Sequence, residues 1–474
     1  MRLNLFCLAL TALFTQLSIV STVSAASEVG ANEKYKNEIN ILETASRSGD
    51  TSAQSTLGIA YFNGEYVKQD YARAASLCKS AADQGNAKGM ACLGTLYFYG
   101  YALPKDIVKA LKLFRSSEEL GGFGFGDLVG GMPDDATRKR DAIEYNTAAE
   151  ALRRSAEQGD VEAQATLGFM YLNFWWMPYS GSPYSPNHMG NSYKQAEGWL
   201  LKAAENGHSG AQLSLGLMYE VSLGLAFQIP DNQVLAAKWL EKSAISGNTF
   251  AQLELARIYS GMKRGRNASK KDKLVTPNES EALKWATKAA DKSVAAQSLL
   301  GSIYLTSEKL HDYKKARFWL EKAAPFDLMA RTLIGFSYER GYGVEKDNGQ
   351  AIAWYRKASD EGYPLAVYRL GTMYERGLGV PKDTVQALAY YELAADHIDQ
   401  RENLYAKIVS LYEAGPIRDD KKLLHYYHKA GSVGDKHSMR KLVDIYGKGL
   451  LGVKSDSSKA KYWSKRVQDT AATR

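Results

Sequence analysis

Apolar and small residues recur at steps of three and four along most of the chain, and this spacing predicts helices with one buried face. In the stretch 364–399 two such helices follow one another, and glycines with a proline at 377–381 separate them. Their apolar positions are Ala366, Leu370, Met373 and Tyr374, then Ala387, Tyr390, Tyr391 and Ala394. The pattern therefore predicts a helix, a turn and a second helix, named the A helix and the B helix below.

The same helix pair is written twice in succession. Fourteen residues of the first copy return, unchanged, 36 positions later. They are Gly335, Tyr338, Glu339, Arg340, Gly341, Gly343, Val344, Lys346, Asp347, Gln350, Ala351, Ala353, Tyr355 and Ala358. A fixed period of this length predicts a solenoid, because each helix pair must stack on its neighbours to bury its apolar face.

The copies that start at Ala330 and Ala366 resemble the Sel-one-like repeat (SLR) family, whose units are related to tetratricopeptide repeats. The resemblance implies an all-α fold, a right-handed α/α superhelical solenoid of about eleven helix-turn-helix repeats. It also implies a non-catalytic adaptor or scaffold, because most members of this family act in that way. In such a solenoid the stacked A helices line a concave surface suited to protein recognition.

Three columns set the boundaries of the units. A small residue on helix A, a tyrosine three positions later and a large residue on helix B recur along the chain, and the large residues, such as Trp285, Trp354 and Tyr390, are expected in the core. The predicted units are 51–86, 87–122, 123–160, 161–208, 209–248, 249–292, 293–327, 328–363, 364–399, 400–435 and 436–468. Before them, 26–50 is expected to hold a capping helix with Ile39, Ile41 and Leu42 facing inward, and 469–474 to be a frayed tail.

Residues 1–25 carry Arg2, an apolar run and a small-residue motif ending at Ala25, which is typical of a secretory signal peptide. A membrane anchor is the alternative, although polar residues interrupt the run and it is short for a span. The expectation is export to the bacterial periplasm, with secretion beyond it as the other outcome, and no transmembrane segment after cleavage.

The net charge of +8 comes from interspersed charges of both signs and indicates a mild preference for acidic neighbours. Export makes nucleic acid an unexpected partner, so a protein partner is predicted.

Cys78 and Cys92 are the two cysteines beyond the signal segment. Each lies seven residues from Gly85, in the turn between a B helix and the next A helix, so antiparallel packing would bring them level. Secreted SLR relatives also join these two helices, but with cysteines nearer the turn. A disulfide and two buried free thiols therefore both remain open.

Partner-binding candidates are of two kinds. Four follow the small residue of helix A and change character between units: Phe169, Arg257, Phe336 and Thr372. The others lie in inserted loops, an aromatic one with Trp175, Trp176 and Tyr179 and a basic one with Arg264 and Arg266. Aromatic side chains on such loops are common interface anchors, although packing on an adjacent loop is the alternative. The basic loop is either solvated or a seat for an acidic partner or anionic envelope surface.

No arrangement of residues points to catalysis, a cofactor or a metal. The Ser-x-x-Lys motif of serine acylases occurs at chance frequency and without its companion motifs, so hydrolase activity is not expected. His425, His428 and His437 could converge on a metal, but no acidic or thiol fourth ligand is placed with them, and surface histidines are the favoured interpretation.

The combined prediction is a periplasmic protein-interaction scaffold that binds through its A helices and inserted loops. One alternative, implied by exported SLR proteins, is an immunity protein that neutralises a phospholipase-like toxin of type VI secretion. A second is a secreted protein that interacts with a host.

Overall fold

The computed structural model describes residues 39–121, 147–173, 186–220, 232–261, 275–395, 397, 401–415 and 418–472. Within these ranges it contains helices and no strand. In chain order the helices are α1 39–47, α2 Thr51–Asn63, α3 Tyr71–Asp83, α4 Ala87–Tyr99, α5 Ile107–Glu119, α6 147–157, α7 Val161–Asn173, α8 Pro186–Glu205, α9 Ser209–Glu220, α10 Gln233–Ile245, α11 Thr249–Tyr259, α12 Glu279–Ala289, α13 Val294–Thr306, α14 Tyr313–Ala323, α15 Leu328–Arg340, α16 Asn348–Ser359, α17 Pro364–Arg376, α18 Thr384–Ala394, α19 Arg401–Ala414, α20 Asp420–Ser432, α21 Lys436–Lys448 and α22 Ser457–Ala472.

Two compact units divide the chain, Met1–Ala296 and Gln297–Arg474. From repeat 4 onward each predicted repeat contains an A helix followed by a B helix, as do repeats 1 and 2. Helix α6 is the B helix of repeat 3, whereas the A helix predicted there lies outside the described residues. The prediction of an all-α repeat solenoid is confirmed.

No helix in the described part of the chain is long and apolar enough to cross a lipid bilayer. The segment 1–25, predicted to be a signal peptide, lies outside the described residues.

The period of the sequence includes the residues that start and stop the helices. Asp347 and Asp383 are the N-caps of α16 and α18, and their carboxylates accept hydrogen bonds from the backbone N–H groups of Gln350 and Gln386. Such caps satisfy N–H groups that have no partner inside the helix. Gly377 ends α17 with φ 68°, a left-handed conformation that side chains disfavour. The turn between A and B helices therefore depends on a glycine and an aspartate at fixed positions.

The small residue of helix A is the point where the two helices of a repeat approach most closely. A Cβ at Gly371 would lie 2.7 Å from the ring of Tyr391 on the B helix, and one at Gly335 would lie 2.8 Å from the ring of Tyr355. Both tyrosines are fully buried. Each tyrosine therefore occupies space that only a glycine leaves open.

The predicted column of large core residues is one position out of register in several repeats, repeats 8 and 9 among them. Trp285 in repeat 6 is buried as expected, but Trp354 and Tyr390 are only partly buried, and their neighbours Tyr355 and Tyr391 fill the core. One residue turns the side chain by about 100° around a helix. Because two aromatic residues are adjacent in these repeats, their spacing does not distinguish which one faces the A helix.

Helix α1 packs Ile39 and Leu42 against the core of the first two repeats, and its role as a cap stays a prediction. Ile41 was also expected to face inward, and this expectation is wrong because its side chain is 60% exposed.

Cys78 on α3 and Cys92 on α4 form a disulfide, with Cα atoms 5.9 Å apart. Both residues are buried in the core shared by repeats 1 and 2. The bond therefore joins the B helix of one repeat to the A helix of the next.

Arg115 on α5 connects repeats that are not neighbours. Its guanidinium forms ion pairs with Glu119 and with Glu162 on α7, and it lies 3.1 Å from Nε2 of His208, which precedes α9. The hydrogen bond from His208, against the effect of burial and together with the charge of Arg115, lowers the pKa of Glu162 to about 2. Simple stacking places contacts only between adjacent repeats. This cluster instead links repeat 2 to both ends of repeat 4.

Replacing Gly371 with alanine tests the close approach of the two helices. The new Cβ must displace the buried Tyr391 ring, so we expect the free energy of unfolding to fall by about 1–3 kcal/mol, measured by denaturant titration. Gly447→Ala is the matched control, because a Cβ on this helical glycine meets nothing within 4 Å. Equal stability of the two variants would contradict the proposed packing.

Reduction of the Cys78–Cys92 bond should destabilise the first two repeats. The cysteines are 14 residues apart, and closing a loop of this length stabilises a fold by about 3 kcal/mol. We expect reductant to lower the melting temperature of the protein and to leave that of Cys78→Ala/Cys92→Ala unchanged. Two titratable thiols in protein purified without reductant would show that the bond does not form.

Candidate protein-interaction face

The inserted loops that carry five of the predicted partner-binding residues cannot be placed. Trp175, Trp176, Tyr179, Arg264 and Arg266 all lie outside the described residues. Their assignment as partner contacts stays a prediction from the sequence.

Two of the predicted contact positions on the A helices are buried, and their assignment is corrected. Phe169 is 1% exposed. Thr372 is 8% exposed, and its hydroxyl lies 3.2 Å from that of Tyr391. The residue after the small column is only about 100° from the helix pair's interface. In repeats 4 and 9 that rotation leaves the side chain inside the core, where a partner cannot reach it.

The other two predicted positions are partly exposed. Arg257 forms an ion pair with the buried Glu254, at 2.7 Å on the same helix. Phe336 on α15 is partly buried and lies among charged and aromatic side chains of repeats 8 and 9. Of the four, Phe336 is the one with a neighbourhood that suits recognition.

We define the A-helix face by two stripes, one on α15 and one on α17. The stripes consist of Leu333, Phe336 and Arg340, and of Leu365, Arg369 and Arg376. Leu365, Arg340 and Arg376 are exposed, and the other three are partly buried. The face thus presents apolar and cationic side chains together, on helices held rigidly by the repeat core.

A row of three glutamates, here the glutamate ladder, runs beside this face. Glu339 on α15, Glu375 on α17 and Glu413 on α19 each contact the B helix of their own repeat and the A helix of the next. Each accepts a hydrogen bond from a B-helix tyrosine: Tyr355 at 2.7 Å, Tyr391 at 2.6 Å and Tyr427 at 2.5 Å. Each also pairs with a cation of the next A helix: Arg369 at 3.8 Å, Lys407 at 2.7 Å and Lys441 at 3.4 Å.

The tyrosines of the ladder are held as hydrogen-bond donors. Burial, followed by the charge of Glu339 and its hydrogen bond, raises the pKa of Tyr355. Burial and the hydrogen bond to Glu375 do the same for the pKa of Tyr391. Both hydroxyls therefore stay protonated at neutral pH, so that neither carboxylate is buried without a donor.

Glu413, the last glutamate of the ladder, has additional partners. Burial alone would raise the pKa of Glu413, but hydrogen bonds from Tyr427 and His437, with the charges of His437 and Lys441, lower it overall. His428 instead lies 2.8 Å from the hydroxyl of Tyr446. His428 and His437 therefore contact different side chains. Among the described residues, no group of three His, Cys, Asp or Glu side chains could hold a metal ion.

Part of the ladder was visible in the sequence. Glu339 and Tyr355 are among the residues that return after 36 positions, but apolar periodicity assigns no role to a glutamate. The cations were missed because Arg369 and Lys407 differ in type and the spacing between their repeats is not constant. The signal that the sequence does offer is a cation on the A helix that follows each of these glutamates.

Phe336 lies close to two guanidinium groups. The Cζ of Arg369 is 4.7 Å from the ring centroid and that of Arg340 is 5.5 Å from it. The ring also meets Tyr342 edge-on at 5.7 Å, and Tyr342 stacks on Tyr313 at 5.1 Å. An aromatic row therefore leads from the A-helix face to the turn between A and B helices.

A double-mutant cycle on Glu375 and Lys407 tests the ladder. The side chains are 24% and 26% exposed, so we expect a coupling energy of about 1–2 kcal/mol between Glu375→Gln and Lys407→Met in denaturant titrations. The exposed pair Lys79 and Asp83 is the control, with an expected coupling of at most about 0.5 kcal/mol. Coupling at 375 and 407 no larger than in this control would mean that the ladder does not stabilise the stack.

Comparison with known proteins identifies the family of these repeats. The family model of the Sel1 repeat matches nine segments: 51–86, 87–122, 186–208, 209–248, 270–294, 294–324, 329–363, 364–399 and 437–466. These cover more than half of the chain. The predicted units 123–160 and 400–435 lie outside them, although the second contains the helix pair α19 and α20.

Among curated proteins, the chain is similar to the rat (Rattus norvegicus) DAP3-binding cell death enhancer 1, 34% identical over 181 residues that make up 38% of this chain and 33% of that protein. It is also similar to chitin synthase regulatory factor 3 of Schizosaccharomyces pombe, 37% identical over 18% of this chain and 10% of that protein. The chain thus spans a third or less of the length of these relatives.

Among solved structures, a Sel1 repeat protein from Oxalobacter formigenes is 26% identical, with 71% of this chain and 92% of that chain covered and a TM-score of 0.48. The protective antigen c5321 of uropathogenic Escherichia coli, which displays an SLR fold, is 27% identical, with 96% and 97% covered and a TM-score of 0.38.

Sel1 repeat proteins are typically non-catalytic, and repeat folds of this kind are commonly scaffolds for protein–protein interaction. With nine matched segments and helix pairs of the expected length, the chain belongs to the Sel1 repeat family.

Proposed function

We propose that this protein is an exported, non-catalytic scaffold of the bacterial periplasm that binds a protein partner through its A-helix face. The loops with Trp175, Trp176 and Arg264 are proposed to contribute at the edge of the same interaction. The apolar run and small-residue motif of 1–25 support export.

One observation carries the proposal. The A-helix face combines an exposed leucine at 365, a partly buried phenylalanine at 336 and arginines at 340 and 376 on a backbone that the repeat core makes rigid. Arginine and aromatic side chains dominate the binding energy of protein interfaces. Because a preorganised surface loses little conformational entropy on binding, such a face suits recognition of another polypeptide.

Pull-down from periplasmic extract, followed by mass spectrometry, tests this proposal with full-length bait. We expect a protein captured by the native chain to be lost with Leu365→Ser/Arg376→Glu, which alters the A-helix face. The control Leu393→Ser/Lys382→Glu changes one exposed leucine and one cation of the same repeat outside that face. It should capture as well as the native protein.

Equal loss in both variants, or capture that neither variant alters, would contradict binding through the A-helix face. The identity of the captured protein separates the finer alternatives, since a phospholipase-like toxin supports an immunity role and an envelope component supports a scaffold role. Repeating the capture with Trp175→Ala/Trp176→Ala measures the contribution of the aromatic loop.

A further inference from the structure

Phe336, Arg340 and Arg369 are here named the arginine seat, and its two guanidiniums make only long ion pairs, without a hydrogen bond, to the described part of the chain. The nearest approaches of the guanidiniums to Glu339 are 3.6 Å for Arg340 and 3.8 Å for Arg369. Both exceed the usual N–H···O distance of about 2.7–3.2 Å. Glu339 is instead satisfied by the hydroxyl of Tyr355, at 2.7 Å.

Neither guanidinium makes a hydrogen bond to any residue that the structure describes, although both lie against a ring that orients them. The side chain of Arg369 is only 26% exposed. Ordering a long side chain costs conformational entropy, and here the ring and the neighbouring helix have already limited its motion. Arg369 is therefore preorganised for an acceptor that comes from outside, and Arg340, whose side chain is 49% exposed, is the more accessible of the two.

The charge of the seat indicates which acceptor fits. Two guanidiniums and the buried carboxylate of Glu339 leave one net positive charge. That balance suits a single carboxylate better than a phosphate dianion. The planar fork of arginine also matches a carboxylate, which accepts two parallel hydrogen bonds.

The surroundings of the seat are apolar as well as cationic. Leu333 and Leu365 belong to the same face, and the aromatic row through Tyr342 leads away from Phe336. A polypeptide can place an aliphatic or aromatic side chain beside an acidic one, whereas an anionic polysaccharide carries no such apolar groups. Arg376 occupies the place of Arg340 one repeat later, so a second acidic residue has a partner along the face.

We propose that the arginine seat binds a carboxylate of an acidic segment of the partner polypeptide in which acidic and apolar residues alternate. This inference rests on the proposed function, since it names the chemistry of the protein that the A-helix face would bind. Phe336 and Tyr342 then contact the apolar side chains of that segment, and Arg340 and Arg369 form hydrogen bonds with its carboxylate.

Fluorescence anisotropy with a labelled twelve-residue peptide of alternating Glu and Leu tests the seat on the full-length protein. We expect Arg340→Gln/Arg369→Gln to weaken binding of this peptide about tenfold or more, the equivalent of losing one charge-assisted pair. The control Arg317→Gln/Arg418→Gln, which removes two arginines from helix α14 and from the segment before α20, should bind like the native protein.

Glu339→Gln provides a change of opposite sign. It keeps an oxygen for the Tyr355 hydroxyl but removes the competing negative charge, so the peptide should bind more tightly and with a steeper salt dependence. A variant that only disturbed the fold would weaken binding in every case. Weaker or unchanged binding by Glu339→Gln would therefore contradict a seat that acts through charge.

Four further outcomes decide the proposal. A matched Gln/Leu peptide that binds as tightly as the Glu/Leu peptide would overturn it, and polygalacturonate that displaces the peptide at equal carboxylate concentration would overturn the polypeptide assignment. A periplasmic partner captured undiminished by Arg340→Gln/Arg369→Gln would also refute the seat while leaving the proposed function intact. Specific peptide binding without any captured partner would support the seat and count against the proposed function.

Discussion

The close approach of the A and B helices at one small residue in each repeat is the constraint on which the structure depends. Gly335 and Gly371 let a tyrosine ring of the B helix lie directly on the backbone of the A helix. The ring carries its hydroxyl one turn along the A helix, where the glutamate four positions after the glycine accepts its hydrogen bond. The same tyrosine therefore both fills the apolar core and fixes the position of the glutamate.

The position of this glutamate also affects how neighbouring repeats stack. Each glutamate that accepts a hydrogen bond from a buried tyrosine also forms an ion pair with a cation of the next A helix. These cations are Arg369, Lys407 and Lys441. Apolar stacking alone tolerates small slips of one repeat against the next, because dispersion is weakly directional. Ion pairs at a fixed height on each helix restrict such slips, and they keep the neighbouring A-helix face in a constant register.

Much of this fold could be predicted from the sequence because its signals are local. The helix pairs follow from apolar periodicity, and the caps at Asp347 and Asp383 follow from the recurrence of the turn. The sequence does not show which of Trp354 and Tyr355 is more deeply buried. The two are adjacent, and a rotation of the helix by one residue would turn either of them towards the core. The sequence leaves the disulfide undecided for a similar reason, since equal distance from a turn does not determine which side chains face each other.

The interactions that are distant in sequence were not predictable from periodicity. Arg115 meets Glu162 and His208 across 47 and 93 residues, and no repeated residue marks that contact. The candidate site combines a predictable and an unpredictable part. The position of Phe336 after the helix A glycine predicts it as a contact residue, whereas periodicity assigns no role to Arg340 and Arg369. Arg369 belongs to the next repeat, and its contact with Phe336 depends on how two repeats stack.

Site-specific photo-crosslinking in living cells tests the central claim most directly, because it reports the surface that meets another protein without requiring that the partner be known. A photoreactive aromatic residue at position 365, on the A-helix face, is predicted to form a covalent adduct with another protein, and the same residue at the exposed position 393 is predicted to form none. Adducts from position 393 alone, or from neither position, would contradict binding through the A-helix face.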